Sequence, residues 1–303
     1  MHVSRILLVC TVFVYVGSLS VRAEEAGIGV GVKPIDGAEL ILDGSRKMLD
    51  EKWTYWEGPR YSSSLPIKWK VVDDPVDDGK AIMTDDPAAA GGKYGTADIV
   101  TKKKYRDFRL HVEFLVSKNR GNSGVYLQNR YEIQVLDGDK TKHGMAAVIN
   151  ETESPYKLYN GAGKWNSYDI NFRAARFEDG KRTEKAIVTM YFNGKKAHTN
   201  VPITRVWGGP NSGLDGDNNQ EGVGIKDTPG GLKLQCEGHD VRYRNIWIKE
   251  LDLKDPDTDF DPVVKKRKSA SEQRIWGIRS EIGGSDTTTK AKMVKTCNVA
   301  IVR

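Results

Sequence analysis

From Asp107 the chain alternates, with Phe108, Leu110, Val112 and Phe114 on one parity and Arg109, His111 and Glu113 on the other. Period two over this length predicts a strand with one buried face. The same style recurs at Asn122–Asn129, Tyr131–Asp137, Trp165–Phe177, Ala186–Phe192, Leu232–Cys236 and Val241–Leu251, and earlier at Glu39–Leu42, Ile67–Val72, Lys80–Thr84 and Ala97–Val100. Asn193-Gly194, between Tyr191-Phe192 and Lys195-Lys196, signals a tight hairpin turn. Apolar positions show the helical period over no stretch of about ten residues or more. Many strands joined by Gly- and Asp-rich turns predict an all-β protein, an antiparallel sandwich or barrel. Two long stretches, 139–164 and 202–230, read as binding loops or disorder, because plain connectors of that length are uncommon in a compact domain.

Composition changes this picture mainly at the ends. The chain of 303 residues carries a net charge of +6, which by itself suggests a nucleic-acid or membrane partner. Residues 1–23 contribute two bases and no acid, residues 254–303 contribute 11 bases and 7 acids, and residues 24–253 balance at 34 of each. The body is therefore neutral, and a nucleic-acid partner is not expected. The run Lys265–Lys268 has no aromatic framework around it and reads as part of a solvated, disordered tail over 254–303.

Met1–Arg5 is short and basic, Ile6–Ser20 is apolar, and Val21-Arg22-Ala23 places small residues at a cleavage site. That order fits a signal peptide over 1–23, removed before Glu24. Its apolar run is about 15 residues, short of the ~20 that span a bilayer, and no later segment is apolar enough to span. The mature chain is expected to be exported, periplasmic or secreted, with no stable membrane insertion. Cys10 lies inside the apolar run and does not close it as a lipidated cysteine would. Of the remaining cysteines, Cys236 and Cys297 are either a pair or two thiols, and without a CxxC there is neither a redox motif nor a Cys-rich zinc site. One domain over 27–253 is expected between leader and tail.

The polar parity holds Arg109, His111, Glu113, Tyr126, Gln128, Glu132 and Gln134. Carboxylates and amides on one sheet face suit sugar hydroxyls, and aromatic rings suit pyranose faces; the same mix also fits an ordinary solvated face. Glu132 and Gln134 share a parity, and a bulge would bring Asp137 to their side. Two carboxyls across a cleft suit acid/base work on a glycosidic bond. Laminarinase-type glycosidases carry Glu, Asp, Glu at these three positions. This chain carries Glu, Gln, Asp, which argues against simple retaining hydrolysis.

Asn122-Ser123-Gly124-Val125-Tyr126-Leu127 followed by Arg130-Tyr131-Glu132-Ile133-Gln134-Val135-Leu136-Asp137 resembles the central signature of the 3-keto-disaccharide hydrolase family. The strand at Asp107–Phe114, the segment Lys164-Trp165-Asn166-Ser167-Tyr168-Asp169-Ile170, the Asn193-Gly194 turn, Leu234-Gln235 and Val241–Ile248 are similar to further family pieces in the expected order, so the resemblance spans roughly 35–253. Many members read Leu-Gln-Asp-His-Gly where this chain has Leu234-Gln235-Cys236-Glu237-Gly238, and a role borrowed from that His does not transfer to His239.

The resemblance implies a concanavalin-like jelly roll of two antiparallel sheets, and exported enzymes that cleave glycosides oxidised to a ketone at C3. Such a ketone acidifies the C2 proton, so a base can remove it and the C1 group departs by elimination, with water adding afterwards. The route needs an acid/base group and an enolate stabiliser, which is either a divalent metal or Arg and amide donors. Carried over as candidates are Glu132, Asp137 and His143 for catalysis, with Glu113, Gln134, Gln235, Arg244, Tyr126 and Trp165 for substrate binding. A non-catalytic lectin on the same fold and a laminarinase-like glycosidase are the alternative readings. Oligomeric state is left open.

Overall fold

The computed structural model describes residues 27–56, 66–84, 97–118, 120–206 and 225–260. The alternating segments become β6 (Asp107–Val116), β7 (Asn122–Leu127), β8 (Tyr131–Leu136), β9 (Trp165–Arg173), β12 (Ala186–Phe192), β14 (Lys233–Leu234) and β15 (Val241–Leu251). Before them come β1 (Glu39–Leu42), β2 (Trp53–Tyr55), β3 (Lys70–Asp73), β4 (Lys80–Met83) and β5 (Ile99–Thr101), and between them β10 (Arg176–Glu178), β11 (Lys181–Glu184) and β13 (Lys195–Ile203). A short helix, α1 (Arg46–Lys52), starts where the Ser45 hydroxyl accepts the Met48 N–H at 3.1 Å. Among the described residues no helix is long and apolar enough to cross a membrane.

Two antiparallel sheets form the jelly-roll sandwich. The eight-stranded sheet runs β13-β12-β9-β6-β15-β4-β3, with β1 also on β15, and the five-stranded sheet runs β2-β5-β14-β7-β8. Phe108, Leu110, Val112 and Phe114 of β6 face inward, as their parity predicts, against Val125, Leu127, Ile133 and Val135 of the smaller sheet, all buried in one core. Tyr131 and Phe172 meet across the sandwich with ring centroids 5.6 Å apart. Two polar bonds also cross it: the Tyr168 hydroxyl donates to the Gln134 carbonyl at 2.6 Å, and Ser123 and Tyr243 share a 2.6 Å bond between hydroxyls. The β12–β13 hairpin turns at Asn193-Gly194, both left-handed at φ 51° and 76°, as the dipeptide predicts.

Three expectations are corrected. The segment expected as one strand over Trp165–Phe177 breaks at Ala174-Ala175, because Asp107 accepts the Ala174 N–H at 2.8 Å and pairs with Arg176 at 2.5 Å. The body continues past Leu253 to Asp259: Thr258 is buried, and its N–H donates to Asn200 at 2.8 Å. Residues 261–303 lie outside the described residues, as do the leader and Cys297.

The third concerns the polar face of β6, which is buried like the apolar one. Segment 27–32 lies across it: Gly29 N–H donates to Asp169 at 2.8 Å, Gly31 N–H to Glu113 at 2.7 Å, and Arg109 donates to the Gly27 carbonyl at 3.0 Å. His111 sits beneath, 2.6 Å from Asp169 and 3.3 Å from Glu113, stacked on Trp247 at 5.1 Å. Burial alone would push His111 down, but Asp169 and Glu113 lift its pKa to about 9. Because the folded value lies above the unfolded 6.5, this stabilisation is complete below pH 6.5 and lost as pH rises through about 9. Thermal melts of wild type and His111→Gln are therefore expected to differ most at pH 6, with the gap narrowing by up to about 1.4 kcal/mol per pH unit across that window. A gap that does not change with pH would show that folding leaves the His111 pKa at its unfolded value.

Candidate active site

The outward face of the five-stranded sheet carries a second polar cluster. β7 and β8 pair in unbroken register from Asn122↔Leu136 to Leu127↔Tyr131, which sets Gly124 opposite Gln134 and Tyr126 opposite Glu132. β14 pairs Lys233 with Tyr126, and Gln235 follows on the same parity with its N–H on the Gly124 carbonyl at 3.0 Å. Four residues expected in the site, Glu132, Tyr126, Gln134 and Gln235, are thus brought together by register alone.

Glu132 lies against the backbone of β7. A Cβ on Gly124 would stand 2.2 Å from Glu132 Oε1 and 2.9 Å from Tyr126 Cε2, so the signature needs glycine there to seat this carboxyl. The Tyr126 hydroxyl hydrogen-bonds Glu132 and accepts from Gln235 Nε2 at 3.2 Å. The other end of the Gln235 amide is buried without a hydrogen-bond partner. Burial pushes the Glu132 carboxyl up to about 8; the Tyr126 bond and the Lys233 charge pull it down, while Glu237 and Asp98 push it further up. At neutral pH it is mostly protonated and close to its midpoint, where proton exchange is efficient.

Three residues here were absent from the sequence expectations. Lys233 is wholly buried, 3.1 Å from the equally buried Asp98, with its ammonium 3.8 Å from the Tyr126 ring centre and 4.3 Å from that of Trp56. Asp98 also accepts the Cys236 N–H at 2.8 Å. Burial pushes Lys233 below the usual lysine range, against the pull of Asp98. The signal was in the parity: Lys233 alternates with Leu232 and Leu234 and shares its face with Gln235.

The other expected residues lie elsewhere. Asp137 continues the β7–β8 register, its N–H on the Gly121 carbonyl at 3.1 Å, so no bulge turns it to the Glu132 face; it accepts from the Tyr156 hydroxyl at 2.5 Å. His143 is exposed in the turn after β8, its N–H on Thr141. Glu113, Arg244 and Trp165 belong to the outer face of the eight-stranded sheet. There Arg244 donates to Glu113 at 2.8 Å, is paired with Asp74 and Asp77, and stacks on Trp165 at 4.2 Å. Burial pushes Glu113 up, but its bonds to His111, Asn245 and Arg244 hold it below the usual range. Among the described residues no group of three or more His, Cys, Asp or Glu side chains is placed to hold a metal.

Residues 37–249 match the family model of the 3-keto-alpha-glucoside-1,2-lyase-like domain, the 3-keto-disaccharide hydrolases. The chain belongs to this family. A candidate glycosyl hydrolase from Parabacteroides distasonis has a similar solved structure, with 25% identity and a TM-score of 0.53, covering 71% of this chain and 84% of that one. Another from the same organism shows 20% identity and a TM-score of 0.47 over 72% and 95%. Among curated proteins nothing matches. Family membership supports a carbohydrate-active glycosidase with a sugar substrate, on the concanavalin-like fold.

The position of Glu132 has a thermodynamic consequence. Its folded pKa of about 8 lies above the unfolded 4.5, so ionisation opposes folding as pH rises between these values. Glu132→Gln removes that opposition. Relative to wild type, the variant is expected to gain up to about 1.4 kcal/mol per pH unit across the window and nothing beyond it, as read by denaturant unfolding at stepped pH. Parallel pH curves would contradict the buried, under-compensated carboxyl.

Proposed function

We propose that the protein is an exported enzyme that cleaves the glycosidic bond of 3-keto-glycosides by elimination across C1–C2, followed by addition of water. The observation that carries this reading is Glu132: one buried carboxyl with its midpoint near neutrality, seated on the family signature without a second carboxyl from Asp137. A nucleophilic mechanism needs a pair of carboxyls flanking the bond. Elimination next to a ketone needs a proton carrier and hydrogen-bond donors instead.

In this scheme the Glu132 carboxylate takes the C2 proton, and the C–H electron pair moves toward the C3 oxygen. As the ketone re-forms, the C1–O bond breaks and the departing oxygen receives the proton from Glu132. The product is an enone, to which water adds at C1. The unpartnered oxygen of the Gln235 amide is suited to accept from a sugar hydroxyl, and the neutral charge of residues 24–253 suits an uncharged sugar. Asp137 and His143 take no part. The leader over 1–23 carries the chain out of the cytoplasm, and the mature protein starts at Glu24.

The deciding assay compares 3-keto-glucosides with their unoxidised parents, following enone absorbance and released aglycone. Wild type is expected to turn over the oxidised substrates only, and Glu132→Gln to lose about 10²–10⁴-fold in kcat. Equal turnover of the parents would select an ordinary glycosidase, and binding without turnover a lectin. N-terminal sequencing of protein recovered from periplasm or medium is expected to begin at Glu24; an intact Met1 there would reject removal of the leader.

A further inference from the structure

A buried lysine next to an acid/base carboxyl calls for an explanation. Desolvating an ammonium is costly, and its pair with Asp98 returns that cost only where geometry is good. Lys233 is held by three contacts at once: Asp98 Oδ2 at 3.1 Å, the Tyr126 ring at 3.8 Å and the Trp56 ring at 4.3 Å. Asp98 is itself fixed by the Cys236 N–H. Tyr126 is the direct cross-strand partner of Lys233 on one side and of Glu132 on the other. The ring that the ammonium covers is thus the ring whose hydroxyl holds the Glu132 carboxyl.

We propose that Lys233, anchored by Asp98, is a positioning residue that clamps Tyr126, and through it the Glu132 carboxyl, while supplying the buried positive charge that Glu132 faces. The role of Glu132 as proton carrier rests on the function proposed above; the clamp and its charge do not. Among the described residues the titratable groups facing Glu132 are Tyr126 on β7, Lys233 on β14, Glu237 after it, Asp98 before β5, Tyr168 on β9 and Tyr243 on β15. Lys233 is the cation of the set.

The test reads Glu132 directly, by carbon NMR of protein labelled at glutamate carboxyls, with the Glu132 signal assigned by Glu132→Gln. Removing the charge in Lys233→Met is expected to move the Glu132 midpoint up by about one pH unit or more, whereas Lys233→Arg keeps the charge and moves it less. Breaking a buried pair is strongly destabilising, so a second variant covers the case of Lys233→Met not folding. Tyr126→Phe removes only the hydroxyl and is expected to raise the midpoint as well. An unmoved midpoint in either folded variant overturns the proposal, and so does an equal upward shift in Lys233→Arg and Lys233→Met. With a 3-keto-glucoside, the pH limb of kcat/KM should move with the midpoint, and kcat should fall more than KM rises. If wild type turns over no 3-keto-glucoside, the functional reading fails while the NMR titration still decides the role of Lys233.

Discussion

A carboxylate taken out of water must find enough donors to keep its charge or else hold its proton, and this fold resolves the choice differently on its two sheets. Glu113, on the outer face of the eight-stranded sheet, meets His111, Arg244, Asn245 and the Gly31 N–H, and stays ionised. Glu132, on the outer face of the five-stranded sheet, has the Tyr126 hydroxyl and the more distant Lys233 charge, set against Asp98 and Glu237, and holds its proton up to about pH 8. The difference in donors separates a carboxylate held ionised from a carboxyl held near its midpoint at neutral pH. A fully matched carboxylate is a poor proton carrier, because each donor that stabilises its charge lowers its basicity.

The same constraint explains the surroundings of each group. On the larger sheet the donors come from backbone as well as side chains. Segment 27–32 supplies N–H groups, and a register shift in β15 between Arg244 and Trp247, where Asn245 is left-handed at φ 44°, turns the Asn245 amide toward Glu113 and the Val32 carbonyl. On the smaller sheet the backbone donors are used up by regular pairing, since β8 is flanked by β7 on one side and on the other by residues 146–149, which take up the Gln134 N–H and the Glu132 carbonyl. What remains for Glu132 is side chains, placed only as precisely as the register places them. Gly124 then matters because regular pairing leaves no other way to bring a carboxyl this close to the neighbouring strand.

Much of this was legible in the sequence. Alternation located β6, β7, β8, β12 and β15, and Asn193-Gly194 located its hairpin, because period two and left-handed turns are local properties. The shared parity of Tyr126, Glu132, Gln134 and Gln235 also survived into three dimensions. What alternation does not encode is which sheet a strand joins. Glu113 and Glu132 both sit between apolar neighbours with the same spacing, yet the core separates them. Nor does parity say whether a polar face is wet, so the burial of Arg109, His111 and Glu113 depended on a segment about 80 residues earlier that has no periodicity of its own. Strands such as Lys181–Glu184 escaped notice because an edge hairpin with little buried surface needs few apolar residues.

The unbroken β7–β8 register has a final consequence for chemistry. In a strand, a five-residue spacing sends two side chains to opposite faces. Glu132 and Asp137 stand at that spacing, and without a bulge the second is bonded to Tyr156 rather than turned to the Glu132 face. A bulge would turn the pair to one face; without it Asp137 stays off the face that carries Glu132, Gln134 and Tyr126. Displacement at C1 needs the second carboxyl that such a bulge would supply, whereas the proposed proton removal at C2 needs a single proton carrier and a substrate already made acidic there.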